Sequence, residues 1–318
     1  PELYCPFTSK LHPQVESAQE HTIQWAMSFQ LLKDEVALKR FKQLKSAYLV
    51  GRTFSDTDLE RLCLAADWTS WLYLFDDQCD NNEIGKKPEE LKRVIDNFVA
   101  ILYEDKKVTL ENGIPLGAAL SDLWERLKEK APEGWKERYR KGVKEYLEAM
   151  YWEAKNRAYG VRPSISEYMH MRAASGAAHT VLDLTEITQQ LTLSNEVLEN
   201  PIFRRLYDIA NVTANWANDV ISFEKEQSFG DVHNLVILFQ HEKKLSLQEA
   251  ISESVKVHDN DIAEFIRLEK ELPSFGEEMD QQVKIYLQTL KSWMRGHINW
   301  IINDTRRFEE KQGDQLMD

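Results

Sequence analysis

Trp68-Thr69-Ser70-Trp71-Leu72-Tyr73-Leu74-Phe75-Asp76-Asp77-Gln78-Cys79-Asp80 is the stretch from which the fold can be read. Trp68, Trp71, Leu72 and Phe75 recur at i, i+3, i+4 and i+7 with no Pro or Gly between them, the spacing of one helical face. At about 100° per residue, Asp76 and Asp80 fall roughly 40° apart, with Asp77 on the flank. One helix thus carries a broad aromatic stripe that ends abruptly in three carboxylates. Carboxylates so placed repel unless a cation sits between them, and hard oxygen ligands suit Mg²⁺. A solvated acidic helix end has the same composition, so these residues alone leave both readings open.

The 318 residues are within reach of one large helical fold, and 42% hydrophobic residues suffice for a sizeable core. Only 12 Gly and 9 Pro argue for long uninterrupted elements rather than a turn-rich β fold. A net charge of −13 makes nucleic acid or an anionic membrane a poor primary partner. Any polyanion must therefore be received by local cations or metal. Cys5, Cys63 and Cys79 have neither metal-site spacing nor the look of a disulfide framework, which suits a reducing cytoplasm. No signal-peptide pattern and no apolar run long enough to span a membrane is read in these residues, so a cytoplasmic protein is the expectation.

Residues 1–14, with Pro6 and Pro13, read as an extended arm that Leu3, Tyr4 and Phe7 pack onto the body. Beyond it, helical patterns alternate with short punctuation. Asn200-Pro201 reads as an N-cap followed by Pro at the first helical position. Ser164-x-x-Glu167, Ser246-x-x-Glu249 and Ser274-x-x-Glu277 fit capping boxes, and Pro88, Pro115 and Pro132 mark further starts. The predicted helices span 15–31, 34–48, 56–81, 88–105, 115–130, 133–159, 164–190 with a break, 201–227, 233–243, 246–271 and 274–310. No convincing strand, internal repeat or low-complexity linker is found, so one all-α domain over 1–318 is expected.

A second constellation lies in residues 211–226. Asn218, Ser222 and Glu226 stand at i, i+4 and i+8, within about 80° on a helix. An amide oxygen, a hydroxyl and a carboxylate on one face are three oxygen donors for a hard cation, and Lys225 beside them could contact an anionic ligand. Asn211 and Asn215 continue that face, while Val212, Val220 and Phe223 make the other flank apolar. Gln227–His233, with Ser228, Gly230 and Asp231, reads as a mobile loop.

Asp76-Asp77-x-x-Asp80 together with Asn218-Asp219-x-x-Ser222-x-x-Lys225-Glu226 resembles the two metal-binding motifs of class I terpene synthases, particularly microbial ones. Arg172, 46 residues before Asn218, has the placement of that family's diphosphate-sensing arginine, and Gly176, four residues later, that of its effector at a helix break. Arg307 within Thr305-Arg306-Arg307-Phe308 is similar to the arginine of the terminal Arg-Tyr element. Tyr4-Cys5-Pro6-Phe7 and His233-Asn234-Leu235-Val236 are also family-like, so the resemblance spans the chain. Two departures stand out: Phe308 replaces the usual Tyr, and Ser175 sits where many relatives have an acidic linker beside the sensor.

The resemblance implies a single-domain helical bundle around a deep apolar cavity, with both metal motifs facing each other at its mouth. It implies a cyclase that ionises an allylic prenyl diphosphate, farnesyl diphosphate first among them, and releases diphosphate. Three Mg²⁺ ions, with Mn²⁺ a substitute, would be held by Asp76, Asp80, Asn218, Ser222 and Glu226. Arg172, Lys225 and Arg307 would bind diphosphate, and Asp77 would pair with Arg307. Aromatic faces stabilise a cation by about 0.5–2 kcal/mol each. Phe75, beside the metal site, and Trp300, seven residues before Arg307, are the expected cavity aromatics. His170, His179 and His233 are set aside as structural. Rival readings are a diterpene cyclase acting on geranylgeranyl diphosphate, a chain-elongating prenyl diphosphate synthase, and a non-catalytic helical adaptor. The Asn/Ser/Glu set in place of a second Asp-rich motif favours cyclisation. The partner is a small molecule rather than nucleic acid or membrane, and both a monomer and a homodimer are open.

Overall fold

The helices begin where side chains or proline can take over the unbonded amides of a first turn. In the computed structural model, which describes residues 2–81, 83–228 and 230–308 (without the side chains of Asp80, Asn81 and Glu83), they are as follows. The first eight are α1 (Val15–Ser28), α2 (Glu35–Leu44), α3 (Ser46–Thr53), α4 (Leu59–Asn81), α5 (Pro88–Tyr103), α6 (Pro115–Lys130), α7 (Trp135–Tyr159) and α8 (Ile165–Ser175). The rest are α9 (Ala178–Leu182), α10 (Thr185–Thr188), α11 (Asn195–Glu199), α12 (Pro201–Ser228), α13 (Leu235–Glu242), α14 (Leu247–Glu269) and α15 (Glu277–Asn303). There is no strand among the described residues. Pro88 and Pro115 open α5 and α6 as expected, Asn200 Oδ1 accepts from the amides of Ile202 and Phe203, and the Ser246–Glu249 capping box is complete.

α4 is more central than its aromatic stripe implied. From Leu62 through Leu72 every position is buried, so the helix is surrounded rather than laid on a surface. Trp68 stacks on Trp71, and Trp71 on Phe75, each with ring centroids 5.5 Å apart. Phe98 of α5 and Tyr139 of α7 meet the same pile edge-on. Each ring contributes about 1.5–3 kcal/mol by burial. The polar residues of α4 are answered locally: fully buried Asp67 accepts from Arg126 at 2.8 Å and pairs with His21 at 2.9 Å, and Ser70 bonds Ser46 at 2.7 Å.

Several boundaries differ from the sequence expectation. The helix expected over 34–48 is two helices, because Lys45 takes a left-handed φ of 57° and turns the chain between α2 and α3. The segment 164–190 is divided into α8, α9 and α10, with Ala177 left-handed at φ 57°. α15 starts at Glu277 behind Gly276 (φ 93°), because the Ser274 hydroxyl is drawn to Asp280 instead of capping. It ends at Asn303, short of the expected 310. In the arm, Phe7 packs edge-on against Phe265 at 5.6 Å and Leu3 lies on the core, whereas Tyr4 is 50% exposed.

One hydrophobic cluster extends from Cys5 to Trp300, and a second joins α8, α12, α13 and α14 around Trp216 and Tyr168. α12 packs mainly against α14 and α15, and α4 against α1 and α3, so the two motif-bearing helices are held by largely separate neighbours, with α9 touching both. No helix among the described residues is long and apolar enough to cross a membrane.

Candidate active site

A cavity of about 550 Å³ lies between α4, α8, α12 and α15. It opens where exposed Lys86, Val161, Arg162 and Gly230 line it, and closes against buried Leu72, Val181, Ala178, Trp293 and His297. Asp76, Asn218, Ser222, Lys225, Glu226, Arg172, Arg307 and Gly176 all contribute to its wall. Asp80 lies on α4, and its side chain is outside the described part of the structure.

The α12 side is a connected network. Asp219, fully buried, accepts from Arg172 Nη2 at 2.8 Å, from the Tyr168 hydroxyl at 2.7 Å and from the amide of Leu235 at 2.9 Å. Arg172 also donates to Asn218 Oδ1 at 3.0 Å. Burial opposes the charge of this guanidinium, but the Asp219 carboxylate outweighs it and holds the arginine protonated. Asn234 Nδ2 donates to Glu226 at 2.8 Å and to the Asp219 carbonyl at 2.8 Å, and the Ser222 hydroxyl donates to the Asn218 carbonyl at 2.8 Å. Burial, then the nearby Asp219 charge, pushes the Glu226 carboxyl up to about 8.

On the α4 side, Arg307 Nη2 lies 3.0 Å from Asp76 and 2.9 Å from Asp77, with its guanidinium carbon 4.9 Å above the Tyr73 ring. The chain reaches this point through a docked segment. Arg52 grips Asp304, the Thr305 hydroxyl and Arg306 amide donate to the Gln43 carbonyl, and the Trp300 indole N–H donates to the Lys45 carbonyl at 2.9 Å. The left-handed turn at Lys45 is what presents those carbonyls.

Two expected cavity aromatics are elsewhere. Phe75 is a neighbour of Asp76 in sequence but about 100° away around the helix, and it sits in the pile with Trp71, Phe98 and Tyr146. Trp300 is fully buried behind the wall, next to Tyr73, His297 and Phe308, since α15 stops before Arg307 and breaks the assumed helical phase. The aromatic lining consists of Tyr73, Tyr146, Trp293 and Phe308. Gly176 differs in its reason. A Cβ there would lie 2.0–2.5 Å from the Asn215 amide, and the left-handed residue at the break is Ala177.

The segment after Glu226 is tied down at Asp231, which accepts from Arg157 Nη2 at 2.8 Å and pairs with His233 at 2.6 Å; residue 229 lies outside the described residues. The roles of Asp219, Asn234, Tyr168 and Asp231 were missed from sequence. The signal for Asp219 was present, as an acid four residues beyond Asn215 on an otherwise buried helix.

Among the described residues no three His, Cys, Asp or Glu side chains are gathered to hold a metal. The donor chemistry is instead mixed: amide, hydroxyl and carboxylate oxygens of Asn218, Ser222 and Glu226, facing the same cavity as Asp76. These are hard ligands. They fit a hard divalent ion and lack the thiolate or imidazole of a zinc site.

The sequence profile described as "Terpene synthase family 2, C-terminal metal binding" matches residues 67–264. The chain belongs to the class I terpene synthases. It is 32% identical over 306 residues to germacrene A synthase of Nostoc punctiforme, covering 96% of this chain and 94% of that one. It is 34% identical over 304 residues to (+)-T-muurolol synthase ((2E,6E)-farnesyl diphosphate cyclizing) of Roseiflexus castenholzii, covering 96% and 92%. The crystal structure of germacradien-4-ol synthase from Streptomyces citricolor superposes with a TM-score of 0.83 at 23% identity, over 94% of this chain and 97% of that one, a likeness of fold. The synthase is thus an all-α, divalent-metal-binding lyase that acts on a prenyl diphosphate.

Proposed function

We propose that the synthase, acting as one catalytic domain, ionises farnesyl diphosphate and closes the resulting cation to a cyclic C15 hydrocarbon or alcohol. The observation that carries this reading is a single cavity with oxygen donors and guanidinium groups at its open end and an aromatic, buried wall at its closed end. The farnesyl diphosphate named for the similar (+)-T-muurolol synthase supports the C15 substrate.

Asp76, Asp80, Asn218, Ser222 and Glu226 would hold Mg²⁺, three ions with Mn²⁺ as substitute. The bound metal supplies Lewis-acid neutralisation of the diphosphate. Arg172, Lys225 and Arg307 would donate to phosphate oxygens, and the planar fork of arginine suits that task. Because Arg172 and Arg307 are paired with Asp219 and with Asp76 and Asp77 beforehand, they enter the reaction oriented and charged. Heterolysis breaks the C1–O bond, its electron pair leaves with diphosphate, and the allylic cation remains against the closed wall. Tyr73, Tyr146, Trp293 and Phe308 line the cavity, where aromatic rings would stabilise the cation and exclude water that would quench it early. Phe308 offers no hydroxyl to diphosphate, so Arg307 acts without that second donor.

Incubation with C10, C15 and C20 diphosphates and Mg²⁺, followed by gas chromatography of the extract, tests the proposal. A cyclic C15 product from farnesyl diphosphate is expected. Turnover of only the C20 substrate, or elongation when isopentenyl diphosphate is added, overturns it.

A further inference from the structure

Arg172 is gripped by α12 at both ends. Its guanidinium reaches Asn218 and Asp219, while its main-chain carbonyl accepts from Asn215 Nδ2 at 3.1 Å. One residue further, the Ala173 carbonyl accepts from Asn211 Nδ2 at 2.8 Å. Both asparagines are buried, at 4% and 5% exposure. The Arg172 carbonyl still takes the Gly176 amide at 3.1 Å, so the asparagine side chains add donors to the carbonyls of the last turn, and of the two ends of an amide only the NH₂ can donate. The same Asn215 side chain lies so close to Gly176 that no Cβ fits between them. It therefore touches the first and last residues of the segment 172–176, and it also lines the cavity. Ser175 is buried between them, yet its hydroxyl has no hydrogen-bond partner among the described residues.

We propose that Asn215 is the positioning residue that makes Arg172 and the Gly176 break move as one piece of cavity wall, a task Ser175 does not perform. The inference rests on the reading of Arg172 as a diphosphate ligand. When the guanidinium turns from Asn218 and Asp219 towards phosphate oxygens, the hydrogen bond from Asn215 keeps the Arg172 backbone, and with it the Ala177 turn, in register with α12. A neutral amide does this without placing a second anion beside Asp219 and without offering a strong base to the cation.

The test is Asn215→Asp, which keeps the volume but, once ionised, removes both donors. Losing the buried hydrogen bond that ties Arg172 to α12 corresponds to about a 10- to 100-fold fall in kcat. The affinity for inorganic diphosphate with Mg²⁺, measured by calorimetry, should stay within about threefold, since 1.4 kcal/mol is tenfold and no phosphate contact is lost. The product mixture should broaden. Asn215→Ser, uncharged and short, should behave alike and serves if the Asp variant does not fold; Ser175→Ala, which removes only an unpartnered hydroxyl, should lower kcat by far less than either. Wild-type kcat and products in both Asn215 variants overturn the inference, as does an equal loss in Ser175→Ala. A separate arm isolates the underlying reading: if Arg172→Gln leaves diphosphate affinity unchanged, Arg172 is not a ligand, and that failure belongs to the proposed function.

Discussion

On the α12 side of the cavity the polar groups are largely buried and answer one another between the packed helices α8, α12 and α13: Asp219 with Arg172, Tyr168 and Leu235, and Glu226 with Asn234. On the α4 side, Asp76 and Asp77 are each 39% exposed in their side chains and share one guanidinium delivered from the far end of the chain. The first side is organised by the shared core of α8, α12 and α13 and stands ready before any ligand arrives. The second borrows its organisation from a docked segment. Damage to α12 should therefore remove chemistry or fold, whereas damage to the docking should weaken capture and closure first.

The largest effects should come from α12. Glu226→Gln keeps the shape and is expected to lower turnover about 10²- to 10³-fold with little change in thermal midpoint. Retained turnover at saturating Mg²⁺ would remove Glu226 from the site. Asp219→Ala should go further and destabilise the fold by about 3–5 kcal/mol in urea titration, because it strands a buried guanidinium. A variant as stable as the parent would mean that Arg172 has another support.

The docking of the Arg307 segment gives the next effect. Arg52→Met or Asp304→Asn should raise KM roughly tenfold with kcat less affected, a shift of about 1.4 kcal/mol. Joint exchange, Arg52→Asp with Asp304→Arg, should recover part of it. If kcat falls instead while KM holds, the contrast between the two sides fails.

The smallest effects test the lining. Asp77→Asn should cost only a few-fold in kcat/KM, since Asp76 still holds Arg307 and since charge-assisted bonds are worth about twice a neutral one. Phe75→Leu should destabilise the fold by about 1–2 kcal/mol through lost packing and leave the ratio of products unchanged. Trp293→Leu, on the cavity surface, should alter that ratio; gas chromatography of both variants separates packing from lining.

Much of the fold was legible because helix starts carry local chemistry: Asn200-Pro201, Pro88, Pro115 and the Ser246–Glu249 box all sit where helices begin. The motif residues Asp76, Arg172, Asn218, Ser222, Lys225, Glu226 and Arg307 come together on one cavity, a property of spacing and resemblance that survives folding. What sequence reasoning could not see depends on backbone turns without a strong signature. Lys45 and Ala177 are left-handed without being glycine, so one expected helix became two and another broke one residue later than its glycine. Aromatic placement failed for a related reason. Phe75 was assigned by nearness to Asp76 and Trp300 by an assumed helical phase with Arg307, and about 100° of helix rotation or the early end of α15 sends each ring elsewhere.

α15 has a consequence for inheritance. It carries Trp293 and His297 into the cavity and then, through Trp300 and Asp304, fastens to Lys45 and Arg52 at the opposite end of the sequence. The residues that shape a product and those that seat Arg307 therefore travel on the same rod. A chimaera that takes α15 from a relative imports both, and it must bring residues 43–52 with it or lose the seat. Recombination among such synthases should accordingly succeed when crossovers keep these two distant segments from one parent. Point changes at Trp293 and His297, which leave the seat alone, are the freer route to new products.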